Sequence, residues 1–125
     1  MGMTFDEIED AARKETGMSD SSNAGLPKET AQQIIRDGYH ELLHGLPTLK
    51  TQVNQTTAAV TYLPETLDES VTEWPDAVAE WMTHVMHYIK WRMLIFSRMD
   101  QAQAARAKVE QAAWESVFRT TEFTR

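Results

Sequence analysis

The chain has 125 residues, 42% of them hydrophobic and 25% charged, which is ordinary globular usage with room for one domain and one modest core. Nineteen acidic side chains against twelve basic ones give a formal net charge of −7, so a broad surface repels phosphate and argues against nucleic-acid binding through counterion release. There is no cysteine, and with it go a disulfide framework, thiolate metal ligands and a cysteine nucleophile.

The first residues, Met1 to Glu7, lack the basic segment and apolar core of a signal peptide, and no run of about 18 apolar residues offers a membrane span. The expected product is soluble and is made in a cytoplasm. Thr4 with Glu7 three residues later reads as a capping box, and Phe5, Ile8 and Ala12 share one stripe. A short helix over about 4–16 follows, closed by Gly17 in the left-handed conformation. Met18 to Gly25 is small and polar, so residues 1–25 read as a tethered N-terminal helix and its linker within a single domain, 1–125.

Leu26-Pro27 opens a second helix over about 27–45, stopped by Leu46-Pro47. Ala31, Ile34, Ile35, Leu42 and Leu46 form its inner stripe with Gly38 as a close-approach point, while Gln33, Arg36, Asp37, His40 and His44 lie opposite. Such a helix packs on one side only. Thr48 to Leu63 has no helical period, and Val60 and Tyr62 alternate with Thr61, so this stretch reads as extended, as one hairpin at most. Two X-Pro pairs, Leu63-Pro64 and Trp74-Pro75, bracket an irregular segment with room for a turn of helix.

A third helix over about 75–98 is the backbone of the expected fold, near 35 Å long at 1.5 Å per residue. Val78, Met82, Val85, Ile89, Met93 and Phe96 make one stripe, and Trp81, Tyr88 and Ile95 a second, widened by Trp91 and Leu94. Only Glu80, Thr83, His87 and Lys90 remain as a polar strip, so the surplus at Trp81, Tyr88, Trp91 and Ile95 is expected to face a neighbouring subunit. Asp100 caps a fourth helix over about 101–119, whose small residues Ala102, Ala105, Val109, Ala112 and Ala113 permit close antiparallel packing on the third. Residues 120–125 leave the helical pattern as a flexible tail. The fold class is all-α: a compact bundle of three main helices, a short N-terminal helix and a small extended or hairpin segment.

Chemistry is sparse. His40/His44 and His84/His87 sit at helical spacings that could hold a metal, yet three of the four lie on polar strips. Glu41 and His44 form one Glu-x-x-His unit of the kind repeated in di-iron bundles, but Glu80 and His84 stand four apart instead of three. Neither a nucleophile elbow nor a glycine-rich phosphate loop is present. Trp81, Trp91 and Trp114 read as core or interface before they read as a ligand pocket. The expectation is a protein with no catalytic residue, no metal and no cofactor. The alternatives are a small metal-binding helical bundle using the two histidine pairs and a soluble helical regulatory protein that binds one partner.

Several pieces share a wider pattern. They are the helix ending in Tyr39-His40-Glu41-Leu42-Leu43-His44-Gly45-Leu46-Pro47, the threonine-rich approach to Tyr62-Leu63-Pro64, and Trp74-Pro75-Asp76-Ala77-Val78-Ala79-Glu80-Trp81. The alanine-rich block from Ala104 to Phe118 closes the series. Together, from Pro27 onward, they resemble the tailed-bacteriophage head–tail adaptor (connector or head-completion) proteins, departing from the longer adaptors in having only Thr48 to Glu73 where those carry a fuller β-region. The resemblance implies a structural virion protein of the neck, a dodecameric homo-oligomer forming a ring beneath the portal. It implies the portal protein, neighbouring copies and tail or stopper (nozzle) proteins as partners, DNA passing through the channel without specific binding, and no membrane. Under this reading Phe118, Arg119, Phe123 and Arg125 are the portal-docking residues, Phe123 being the anchor of the tail.

Overall fold

The computed structural model of the chain describes residues 3–17, 26–53, 56–57, 60–64, 66–68, 70–96 and 101–123, apart from the side chains at 52, 53, 61 and 119–123. It is mostly helical. Among the described residues there are four α-helices: α1 (Phe5–Thr16), α2 (Lys28–Gly45), α3 (Met82–Phe96) and α4 (Gln101–Phe123). A short antiparallel ribbon, β1 (Thr51–Val53) with β2 (Val60–Tyr62), pairs Thr51 with Tyr62 and Val53 with Val60.

α1 starts on the capping box its sequence spells. The Glu7 amide donates to Thr4 Oγ1 at 3.2 Å, and the Thr4 amide donates back to Glu7 Oε1 at 3.1 Å. It ends at Gly17, whose φ of 78° lets its amide reach the Arg13 and Lys14 carbonyls. Phe5, Ile8 and Ala12 are fully buried, so α1 is an integral wall of the core. The linker expected at 18–25 lies outside the described residues. A buried ion pair reinforces the wall: Arg13 Nε donates to Glu9 Oε2 at 2.8 Å and Arg13 Nη2 donates to the Leu26 carbonyl at 2.8 Å.

The inner stripe of α2 is buried as its period predicts, with Ala31, Ile34, Ile35, Leu42 and Leu46 all in the core. Gly38 is the close approach to α3: a Cβ there would stand 2.9 Å from Val85 Cγ1 and 3.2 Å from Tyr88 Cδ1. Part of the opposite face is covered, contrary to the one-sided packing expected: Arg36 is buried and His40 half-buried, while Gln33 and His44 stay exposed. The segment after β2 runs back over it, held by the Tyr39 hydroxyl donating to the Pro64 carbonyl, the Leu67 amide donating to His40 Nε2 at 3.0 Å, and Arg36 Nε donating to the Asp68 carbonyl at 3.2 Å. Polar side chains on α2 therefore supply partners that an irregular backbone cannot find in itself. Leu67 and Trp74 anchor this segment in the core, and its described residues contain no helical turn.

The expected third helix divides in two. Asp76–Trp81 is 3-10 helix and only Met82–Phe96 is α, with Val78 at φ −120° between turns. The buried Trp74 indole donates to the Val78 carbonyl at 2.9 Å, and the Met82 amide bonds the Ala79 carbonyl instead. One diverted carbonyl thus accounts for the irregular start.

α4 runs back along α3, with His87 opposite Glu110 and Tyr88 opposite Trp114. Its inner face differs from the one expected. Ala107, Trp114 and Val117 are buried, whereas Ala102, Ala105, Ala112 and Val109, the last 66% exposed, point outward. Burying an indole removes far more apolar area from water than burying alanine methyls, so Trp114 sets the rotation of the helix. The backbone stays helical to Phe123, beyond the expected end at 119, because no glycine or proline interrupts residues 101–125.

Candidate interaction surface

The four residues expected to face a neighbour do not share one environment. Tyr88 is only 3% exposed and belongs to the core, so it is no interface residue. It is gripped by Trp91 at 5.6 Å and Trp114 at 5.5 Å, and Arg92 Nη1 donates to its hydroxyl at 2.7 Å. Burial pushes the Tyr88 hydroxyl up, with the nearby Asp37 and Glu41 carboxylates adding to the effect and Arg92 opposing it. The apolar surplus of α3 is thus largely absorbed by α4. Trp81 and Trp91 are half-buried and pack against the core. The Trp81 ring lies 5.6 Å from that of His84, and its buried indole N–H is without a partner among the described residues.

Ile95 remains at the surface. It is 42% exposed and Phe96 beside it 52%. The two form one wall of a groove of about 320 Å³ between the end of α3 and the first half of α2, lined by Ile34 at its base and by Thr30, Gln33, Asp37 and Arg92 around it. Phe96, expected in the inner stripe, lies three residues beyond the buried Met93 and is 52% exposed at the edge of the groove.

Of the docking residues, Phe118 is half-buried. Its ring stacks edge-on against Trp114 at 4.8 Å and fills the space over Gly45, where a Cβ would overlap it. Phe118 is therefore a packing residue at the join of α2 and α4. Arg119 and Phe123 are on helical backbone, and their side chains, together with Arg125, lie outside the described residues.

The histidines separate as well. His44 and His84 are exposed, His40 accepts from the Leu67 amide, and His87 Nδ1 meets Glu110 Oε2 at 2.6 Å. Neither His40 nor His87 is a free surface group, as their polar strips had implied. Among the described residues no group of three or more His, Asp or Glu side chains is placed to hold a metal ion. Around Glu110 the charges form a small network, with Lys90 Nζ at 3.4 Å and Glu15 Oε1 a further 3.7 Å from that ammonium. Burial would raise the Glu110 carboxyl, but the His87 hydrogen bond and Lys90 outweigh it and hold it below its ordinary value of 4.5. This network ties α1, α3 and α4 together and is structural in geometry.

The sequence missed the groove because Ile95 and Phe96 read as continuations of two buried stripes. The usable signal was position, since both fall in the last turn of α3, where the described residues leave them half-covered. Comparisons with protein-family models, curated protein sequences and solved structures return no match. Among the described residues no helix is long and apolar enough to cross a membrane.

Proposed function

We propose that this chain is a structural head–tail adaptor of a tailed bacteriophage, forming a ring beneath the portal that extends the DNA channel and joins the head to tail components. The observation that carries the reading is the apolar groove at the end of α3. Ile95 and Phe96 are exposed together beside Ile34, a site for protein contact rather than for chemistry. The resemblance of the pieces from Pro27 to Phe118 supports the same reading, and a net charge of −7 suits a channel wall along which DNA slides without being held. Under this proposal the protein works in the virion neck as a homo-oligomer, without catalysis. Its partners are the portal protein, its own copies and a tail or stopper protein.

The test is to mix the purified chain with the portal rings encoded on the same genome and to image the mixture by electron microscopy. A second ring stacked on the narrow end of the portal is the expected result. Portal rings that stay bare while the chain remains folded by circular dichroism would overturn the reading.

A further inference from the structure

Apart from the single residues Met3 and Val109, the exposed large apolar side chains among the described residues fall in two places. The first is the α2–α3 groove. The second is the ribbon, where Tyr62 is 76% exposed and Val60 47% exposed. Residues 60 and 62 share one ribbon face, because side chains alternate along a strand, and Thr51, paired with Tyr62, is exposed as well. No described residue of the ribbon lines the groove. The ribbon leaves the C-terminal end of α2 through Pro47–Lys50, whereas the groove uses Thr30, Ile34 and Asp37 from its first half. Ile34 and Leu46 are twelve residues apart on that helix, about 18 Å at 1.5 Å per residue.

Charge says which occupant the groove suits. The chain carries nineteen acidic and twelve basic residues, yet between Thr48 and Tyr62 the only charged side chain is Lys50. On its α2 side the groove has Asp37 at the rim, within an acidic strip that Glu29 and Glu41 extend along the exposed face of the helix, and on its α3 side it has Arg92, whose guanidinium already donates to the Tyr88 hydroxyl. Two copies therefore repel over most of their surfaces, and the ribbon is a segment that meets the acidic strip with an apolar face and a single cation. We propose that the ribbon of one copy seats in the groove of the next, with Tyr62 against Ile34, Ile95 and Phe96 and with Lys50 toward Asp37 or Glu41. Since the two surfaces differ, the contact is head-to-tail and propagates from copy to copy, closing into a ring if the rotation allows. The contact deepens the adaptor reading and rests on it for the closed ring.

The absence of cysteine makes the test direct. Thr51→Cys and Gln33→Cys are placed together in the full chain, leaving every apolar residue of both surfaces intact, and the protein is oxidised and run without reductant. A disulfide forms only where Cα atoms come within about 7 Å. A ladder of dimers, trimers and higher species is expected, with each single-cysteine chain stopping at dimer. Adding Tyr62→Ser or Phe96→Ser should reduce the ladder by at least about tenfold, as loss of a buried aromatic anchor does, with circular dichroism unchanged. A ladder equal to that of a Thr51→Cys, Ser116→Cys control overturns the proposal, and products that stop at dimer replace the head-to-tail contact with a reciprocal one. If an amine-reactive cross-linker yields multimers where the cysteine pair does not, the ribbon contact is wrong while the adaptor reading stands. If neither gives multimers and portal rings also stay bare, both fail.

Discussion

Gly38→Ala sets two effects of known sign against each other. On a helix interior, alanine is favoured over glycine by about 1 kcal/mol, because glycine loses more backbone freedom on folding. At this position the new methyl would stand 2.9 Å from Val85 Cγ1 and 3.2 Å from Tyr88 Cδ1. Val85 is fully buried and Tyr88 is clamped by two tryptophans and Arg92, so neither neighbour gives way easily. Overpacking of this kind costs about 1–3 kcal/mol, and the net expectation is a loss of up to about 2 kcal/mol. The discriminating measurement is a double-mutant cycle in urea, followed by tryptophan fluorescence. Val85→Ala alone should cost about 2 kcal/mol for two buried methyl groups, but with it in place Gly38→Ala should become neutral or stabilising, giving a coupling of about 1–3 kcal/mol. If Gly38→Ala stabilises by about 1 kcal/mol in both backgrounds, propensity alone is acting and α2 and α3 are not in contact at Gly38.

The buried Glu9–Arg13 pair predicts an asymmetry between single and double replacement. Arg13→Met alone should cost about 3–5 kcal/mol by stranding the Glu9 carboxylate, and Glu9→Gln added to it should recover part of that loss in the same urea assay. Glu110 has a folded pKa below its ordinary 4.5, so its contribution is complete above that value and fades as pH falls through the lowered one. Thermal melts from pH 6 to pH 3 should show a shallower acid decline for Glu110→Gln than for the parent chain, an equal slope counting against the His87–Glu110–Lys90 network. Burial pushes the Tyr39 hydroxyl up to about 12, so its stabilisation is present below pH 10 and is lost as pH rises through about 12. An ultraviolet titration at 295 nm should show two late-ionising tyrosines, Tyr39 and Tyr88, and Tyr39→Phe should remove one of them.

Legibility in the sequence followed how local the governing interaction is. The α1 caps were readable because each is local, Thr4 with Glu7 at one end and Gly17 with the Arg13 and Lys14 carbonyls at the other. The inner stripe of α2 was readable because all of its members are buried at the spacing of one helix face. The kink at Val78 was not, since it depends on a side-chain donor, Trp74, reaching a carbonyl across a proline. Likewise, the polar face of α2 looked like a solvent face because Arg36, His40 and the Tyr39 hydroxyl bond to backbone 25 to 32 residues away. In α4 the alanine run suggested an inner face by count, while the packing followed size, with Trp114 and Val117 turned inward.

The candidate surface illustrates the same limit at the level of function. An amphipathic stripe tells which residues prefer burial, but burial also requires something on the other side, and a stripe outruns its cover wherever the opposing element stops. On α3 the stripe that is buried at Tyr88, 3% exposed, ends at Ile95, 42% exposed. Tyr88 and Ile95 stand seven residues apart, and the first has Trp114 over it while the second opens on the groove. The pattern thus identified the helix with apolar surface to spare, and tertiary packing decided that the spare surface sits at its last turn. Four aromatic residues, Tyr88, Trp91, Trp114 and Phe118, instead form a continuous edge-to-face series in which the Tyr88–Trp114 contact joins α3 to α4, each contact adding about 0.5–1.5 kcal/mol beyond area burial. With that series committed to the subunit's own core, what remains for a neighbour is the short wall of Ile95 and Phe96, too small to hold two copies by itself at the roughly 1,200–2,000 Å² of a stable interface. A neighbour that adds its own projecting apolar face extends the buried area beyond that wall, as the exposed Val60–Tyr62 face of the ribbon would.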